Sequence, residues 1–222
     1  YGISVIHNAR PSNLVFKFRQ RMFRNGKPGL DIDKYDEFCH HFMLYDLKNG
    51  DLVCVFRALL FKSINKIFDS YSSQFYDLNP LKTFNGNFLE IGRFCMDVNN
   101  KDPNILRLAW HSLSKFIMQE KVNVIFGCTS FEGVDKTNHI QAFTLLKEKY
   151  LTSLEIRPKV SAGSIFEYAK KLKSKQLDHS SALKNLPPLL RLYLKLGAKV
   201  SNSAIVDYDL KTIHVFTVYC NS

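Results

Sequence analysis

A carboxylate and a guanidinium stand three residues apart in Glu90-Ile91-Gly92-Arg93-Phe94-Cys95-Met96, an otherwise apolar run. Burying either charge is costly unless it is paired or used. Strand periodicity puts Glu90 and Gly92 on one face and Ile91 and Arg93 on the other, and a local bulge would let Glu90 and Arg93 converge. The run is a candidate catalytic strand. Its carboxylate can move a proton and its guanidinium can hold an anion. A structural ion pair at a strand edge is the plainer alternative. Upstream stand Arg19 and Phe23, four residues apart, the acid pair Asp33 and Asp36, and Arg57 inside the apolar stretch Leu52 to Phe61.

These groups need elements to position them. A short strand at Ile3 to Ile6 leads to Ser12, an N-cap candidate, and to a helix in which Val15, Phe18, Arg19, Met22 and Phe23 share a stripe. Asn25-Gly26-Lys27-Pro28-Gly29 ends it. Two strands, Cys39 to Asp46 and Leu52 to Phe61, are joined by a hairpin-type turn at Lys48-Asn49-Gly50. A short helix at Ile64 to Ser70 and a loop near Asn79-Pro80 precede the strand Asn87 to Val98. The polar loop Asn99 to Asn104, with Lys101 inside it, then opens a helix of about four turns carrying Ile105, Leu108, Ala109, Leu113, Phe116 and Ile117 at helical spacing.

The next strand, Val122 to Ser130, is apolar almost throughout and is expected to be central. From about 132 to 185 the pattern changes and reads as an insertion, with helices at Ile140 to Tyr150 and Ile165 to Lys175 and a strand-like piece near Leu154 to Val160. Pro187 and Pro188 start a helix over Leu189 to Leu196 that Gly197 closes, and strands follow at Ala204 to Asp207 and Thr212 to Cys220. The expected fold is α+β. A central mixed, mostly antiparallel sheet is flanked by helices in the element order of the GCN5-related N-acyltransferases. The whole chain, 1–222, is expected to be one domain with that insertion.

Composition narrows the class. With 45% hydrophobic and 13% aromatic residues the chain can bury an ample core, so disorder is excluded. No run approaches the roughly 18 apolar residues needed to cross a bilayer, and the first residues lack signal-peptide order. The chain reads as cytoplasmic. Cys39, Cys54, Cys95, Cys128 and Cys220 are scattered through apolar strand-like runs and read as buried thiols, with no zinc or redox motif. His40 and His41, neighbours on a strand, point to opposite faces and make poor joint metal ligands. The formal charge of +11 suits nucleic acid, anionic lipid or an acidic protein. Basic residues cluster at Phe16 to Lys27 and at Lys170, Lys171, Lys173, Lys175, Lys184, Arg191, Lys195 and Lys199. A solvated face is the commonest explanation for any one cluster.

In order and tight spacing, Arg19, Phe23, Asp33, Asp36, Arg57, Glu90 and Arg93 resemble the signature of the acyl-homoserine-lactone synthases and their relatives. The remaining text is similar to another branch, the ornithine N-acyltransferases of ornithine-lipid synthesis, also called hemolysin-like acetyltransferases. Tyr35-Asp36-Glu37-Phe38-Cys39-x-His41, Glu90-Ile91-Gly92-Arg93-x-Cys95, Phe126-Gly127-Cys128-x-Ser130-Phe131-x-Gly133 and Leu186-Pro187-Pro188-Leu189-Leu190 with Tyr193-Leu194 and Leu196-Gly197-Ala198 carry this likeness, with Ala204-x-Val206-Asp207-x-Asp209. It spans nearly the whole chain. One aromatic expected between Phe23 and Asp33 has no clear equivalent here.

The resemblance implies transfer of a 3-hydroxyacyl group from acyl carrier protein, or from coenzyme A, to the α-amine of L-ornithine, giving lyso-ornithine lipid. No tightly bound cofactor and no metal is implied. Under that reading Glu90 is the base and Arg93 its catalytic neighbour, while Arg19, Phe23, Asp33, Asp36 and Arg57 bind the acceptor; the alternative for the charged residues, compatible with it, is a mutually neutralising network that fixes the N-terminal segment over the sheet. The backbone at Phe94, Cys95 and Met96 polarises the thioester and pairs with the pantetheine arm. The phosphate meets Asn99 to Asn104 at a helix N-terminus. This loop lacks the Gly-rich pattern of coenzyme A users, which favours the carrier protein. The lysine-rich helix expected at Ile165 to Lys175 offers a surface for that carrier or for peripheral contact with an anionic membrane. A lactone-forming synthase or another amino-acid N-acyltransferase is the runner-up. A non-catalytic basic module for nucleic acid or membrane is the alternative from another class; no nucleic-acid motif supports it and no nucleic-acid partner is expected.

Overall fold

Ten residues in sequence, Leu52–Phe61, are apolar apart from Arg57, and they form a strand buried along nearly its whole length. The computed structural model describes residues 1–24, 27–100, 102–173 and 177–220. In chain order it contains β1 (Gly2–Ile6), α1 (Asn13–Phe23), β2 (His40–Tyr45), β3 (Leu52–Phe61), β4 (Tyr76–Asp77) among three short 3-10 turns, and β5 (Asn87–Met96). There follow α2 (Pro103–Gln119), β6 (Val122–Glu132), α3 (Ile140–Lys149), β7 (Lys159–Val160), β8 (Ser164–Phe166), α4 (Tyr168–Lys171), α5 (His179–Asn185), α6 (Pro188–Lys195), β9 (Lys199–Asp207) and β10 (Thr212–Cys220). Asn25, Gly26, Lys101 and Lys175 lie outside the described residues.

The chain divides into two compact units. In the first, Tyr1–Lys62 with Asn87–Val122, strands β1, β2, β3 and β5 pair antiparallel in that order. Alternation along the strands gives each face its own layer. Met43, Val55 and Cys95 pack with Val15 and Phe18 of α1. On the other face Phe42 stacks on Phe56, Phe56 on Phe94, and Phe116 of α2 stands edge-on to Phe42. This double cover explains why β3 shows no polar alternation. His40 and His41 divide between the faces as expected: His40 lies against Phe116, whereas the His41 ring bonds the Asp36 carbonyl.

Pairing of β3 with β5 is interrupted. Val55 faces Cys95 and Arg57 faces Gly92, so three steps on β5 oppose two on β3. The extra residue is a bulge, and Arg93 takes a φ of +52°, in the left-handed region.

In the second unit, Ser63–Gly86 with Asn123–Ser222, strands β6, β10, β9 and β8 pair antiparallel, and β4 pairs with β7. Its core gathers Phe131, Phe143, Phe166 and Tyr168 with Leu190, Leu194, Val200 and Ile213. Strand β6 is buried at Val124, Ile125 and Phe126 and exposed at Asn123 and Ser130.

The helix expected at Ile165 to Lys175 is not formed at that length. Ile165 and Phe166 belong to β8, facing Ile205 and Ala204, and among the described residues of the stretch only Tyr168–Lys171 is helical. Cross-strand pairing and the packing of the Phe166 ring on Phe143 win over an apolar spacing that fitted a helix. Helix α5 was not expected. Its signal is Asp178, whose carboxylate accepts from the amides of Ser180 and Ser181. α6 ends as read, with Gly197 at φ +101° and the Ala198 amide on the Tyr193 carbonyl.

Candidate active site

Arg19 is the buried charge of α1, 1% exposed, and its guanidinium leaves the helix toward the segment between α1 and β2. Gln20 pins the start of that segment by donating to the carbonyls of Lys27 and Pro28. The Asp31 amide bonds the Phe16 carbonyl. Asp33 and Asp36 then fold against each other: the Asp33 amide donates to the Asp36 carboxylate and the Tyr35 amide to that of Asp33. Three carboxylates thereby stand over the face of the sheet that carries Arg57 and Arg93.

The six charges form a closed ring in which each acid bridges two arginines. Arg19 binds Asp31 at 2.8 Å and Asp36 at 2.6 Å. Arg57 binds Asp36 at 2.6 Å and Asp33 through two bonds of 2.5 and 2.7 Å. Arg93 binds Asp33 at 3.1 Å and closes the circle on Asp31 at 2.9 Å. Charges balance within the ring, which is what permits its burial. Arg24 adds a looser approach to Asp31 at 3.8 Å. Each ring arginine also lies over an aromatic face: Arg19 over Phe16, Arg57 over Tyr35 and Arg93 over Phe23.

The ring sets the protonation of Asp33, Asp36 and Arg57. Burial pushes the Asp36 carboxyl up, but the bond from Arg19 and the charges of Arg57 and Arg19 outweigh it and bring its pKa to about 2. At Asp33 burial acts upward and is overcome by the bonds and charge of Arg57 and the charge of Arg93, so it too is held down. Arg57 is shifted up, its burial outweighed by Asp33. All three are fixed in their charged forms near neutrality.

Glu90 is 6% exposed and faces Leu59 across the β3–β5 ladder, while Gly92, two residues on, faces Arg57. Cross-strand partners share a face, so Glu90 lies on the ring's side of the sheet, about 7 Å along the strand from Gly92. Its charge is felt at Cys39, whose thiol burial pushes up to about 12 with Asp36, Glu90 and Asp33 adding to the shift and Arg57 opposing it. The structure therefore brings Arg19, Phe23, Asp33, Asp36, Arg57, Glu90 and Arg93 to one side of the first unit.

Other expected site residues do different work with their side chains. Phe94 stacks on Phe56 on the opposite face, and Cys95 is buried among Val15, Phe18 and Met43. Met96 faces Cys54. The Asn99 amide bonds Asp97. At the start of α2, Asp102 caps the helix by accepting the Asn104 amide at 2.9 Å and also receives the Tyr1 hydroxyl at 3.0 Å. Asp31 closes the ring from irregular backbone, where no periodicity signals it. No His, Cys, Asp or Glu group able to hold a metal ion occurs among the described residues. None of their helices is long and apolar enough to cross a membrane.

Comparison with known proteins defines the class. Residues 15–111, which hold all seven of these residues, match the model of an acetyltransferase (GNAT) domain. The fold as a whole is like that of FeeM, an N-acyl amino acid synthase from uncultured soil microbes, at a TM-score of 0.51 and 7% identity over 99% of this chain and 95% of that one. The chain is an acyltransferase, and its fold is GNAT-like. More particularly, it is 27% identical over 84% of its length to the L-ornithine N(alpha)-acyltransferase of Rhodobacter capsulatus, 73% of which is covered. It is 25% identical over 85% of its length to the enzyme of that name from Brucella abortus, 69% of which is covered.

Proposed function

We propose that this acyltransferase moves a 3-hydroxyacyl group from the phosphopantetheine thioester of acyl carrier protein to the α-amine of L-ornithine, releasing the carrier thiol and forming lyso-ornithine lipid. The observation that carries this reading is the similarity, along more than four fifths of the chain, to L-ornithine N(alpha)-acyltransferases. The geometry supports it. Glu90 is a buried carboxylate on the same side of the sheet as a fixed array of acids and arginines, where an amino acid finds a partner for each of its charges.

In this reading Glu90 takes a proton from the α-ammonium, directly or through one water. The free amine attacks the thioester carbon, the oxyanion is met by backbone amides of Phe94, Cys95 or Met96, and the carbon–sulfur bond breaks. The departing thiolate takes the proton that the nitrogen carries after the attack, and Glu90 releases its own to solvent. Arg19, Asp36 and Arg57 hold the array in place, Asp33 and Arg93 meet the acceptor, and Phe23 supports the Arg93 guanidinium. The donor phosphate docks beside Asn99 and Asn104 at the start of α2, with coenzyme A as the second donor to test. The reaction takes place in the cytoplasm, with peripheral contact at an anionic membrane face favoured by the charge of +11 and by an amphiphilic product.

The test incubates purified protein with 3-hydroxyacyl carrier protein or 3-hydroxyacyl coenzyme A and ornithine, lysine, glycine or S-adenosylmethionine, following thiol release and product mass. An ornithine-dependent amide that Glu90→Ala abolishes is the expected result. A lactone from S-adenosylmethionine would move the assignment to a signal synthase, and an amide of another amino acid would change the acceptor.

A further inference from the structure

The charged ring has one weak link. Arg93 to Asp33, at 3.1 Å, is longer than the other five connections, which lie between 2.5 and 2.9 Å. It also joins the two most exposed members: the Asp33 side chain is 21% exposed and that of Arg93 10%, against 5% or less for the other four. We propose that this link is the acceptor's entry point, opened by the α-ammonium and α-carboxylate of an amino acid, and that Asp31 is the positioning residue that holds Arg93 in place once it is open. This rests on the acyl transfer to an amino acid proposed above.

Charge balance favours such an exchange. A buried ion pair broken by a neutral molecule leaves two uncompensated charges, whereas a zwitterion replaces each partner with one of like sign and the ring stays neutral. Both ends are also held from behind. Asp33 keeps its two bonds to Arg57, and Arg93 keeps the bond from Nε to Asp31. An arginine anchored through Nε presents its Nη edge, the geometry a carboxylate accepts in a forked pair. The bulge at Arg93 aims that side chain at the acids, and its left-handed φ fixes the point it starts from.

Asp33 does not compete with Glu90 for the proton. Held ionised by Arg57, it is a poor base, and it accepts a hydrogen bond from the amine while the nitrogen lone pair stays free for the thioester. Recognition thus falls on the α-amino-carboxylate unit. An amine lacking the carboxylate opens the link and gives Arg93 nothing in return.

The experiment compares each amino acid found to be acylated with its decarboxylated amine, for ornithine 1,4-diaminobutane, in wild type, Asp31→Asn and Arg93→Lys. Wild type should prefer the amino acid strongly. In Asp31→Asn the acceptor KM should rise about tenfold, the donor KM should stay put, and the preference over the diamine should shrink by a similar factor. Arg93→Lys keeps the charge, loses the fork and should shrink the preference as well; it decides the question if Asp31→Asn fails to fold. Folded variants that retain the wild-type preference would overturn the entry site while leaving acyl transfer intact. Acylation of no amino acid at all would remove both readings together.

Discussion

Arg19 and Asp36 meet at 2.6 Å with 1% of each side chain exposed. Neither charge has water to turn to if the other is lost. Asp36 also takes Arg57 and the Asp33 amide. Asp36→Asn should therefore destabilise the fold by about 3–5 kcal/mol, the range for stranding a buried charge. Asp33→Asn, at a side chain 21% exposed, should cost clearly less. Urea unfolding followed by circular dichroism checks the order of the two.

Backbone strain at Arg93 predicts an inverted ranking of substitutions. Arg93→Ala and Arg93→Gly both remove the ion pairs to Asp31 and Asp33 and should both lose acceptor binding. At φ +52°, however, alanine keeps the left-handed penalty and glycine does not. Glycine should be the more stable of the two by about 1 kcal/mol, the reverse of their order in an ordinary strand. Parallel urea titrations of the two variants measure the difference.

Much of this site could be read from the sequence because its arginines sit on periodic elements. Arg19 is on a helix stripe and Arg57 and Arg93 interrupt apolar strands, so each stands out as a charge where apolar residues belong. The bulge at Arg93 was foreseen as the means of turning that residue to the face of Glu90. Asp31 was not foreseen. It lies in irregular backbone, two residues before an acid that was noticed, and only the bond of its amide to the Phe16 carbonyl and the reach of Arg19 fix where it points. The loop has no periodicity from which to infer that. The misread stretch at Ile165 shows the opposite failure, since Ile165, Phe166, Ala169 and Leu172 satisfy a helical spacing, yet the pairing of Ile165 and Phe166 with β9 decides their conformation. Asp178, as an N-cap, is the signal for α5 that the sequence carries.

Three buried histidines, His40, His41 and His214, are shifted down by burial and give the fold a pH slope above the carboxylate range, the largest part from His40 and His214. His40 is brought to about 4 by burial and by the neighbouring charge of His7, and His214 to about 4 by burial. Both are neutral in the folded chain and take up a proton more readily once unfolded. Their contribution is therefore complete above about 6.5 and is lost as pH falls from there to about 4. Asp36, depressed to about 2, adds a second loss between about 4 and 2. The urea midpoint should thus decline in two stages on acidification. His40→Phe, which preserves a ring against Phe116, should flatten part of the first stage and leave the second unchanged.

The N-terminus of α2 carries an anion of its own. Asp102 accepts the Asn104 amide and the Tyr1 hydroxyl, and the amide bond holds its carboxyl below the usual range. A donor phosphate docking beside Asn99 and Asn104 would meet this carboxylate at the same positive end of the helix dipole. Asp102→Asn retains an oxygen able to accept from Asn104 and removes the charge. Helix stability should change little, and the KM for the acyl donor should fall several-fold, more at low ionic strength than at high. Asp102→Ala removes cap and charge together, so it should lower the thermal midpoint while still improving donor binding. Steady-state kinetics at two salt concentrations separate the contributions: a donor KM indifferent to both variants and to salt would place the phosphate elsewhere.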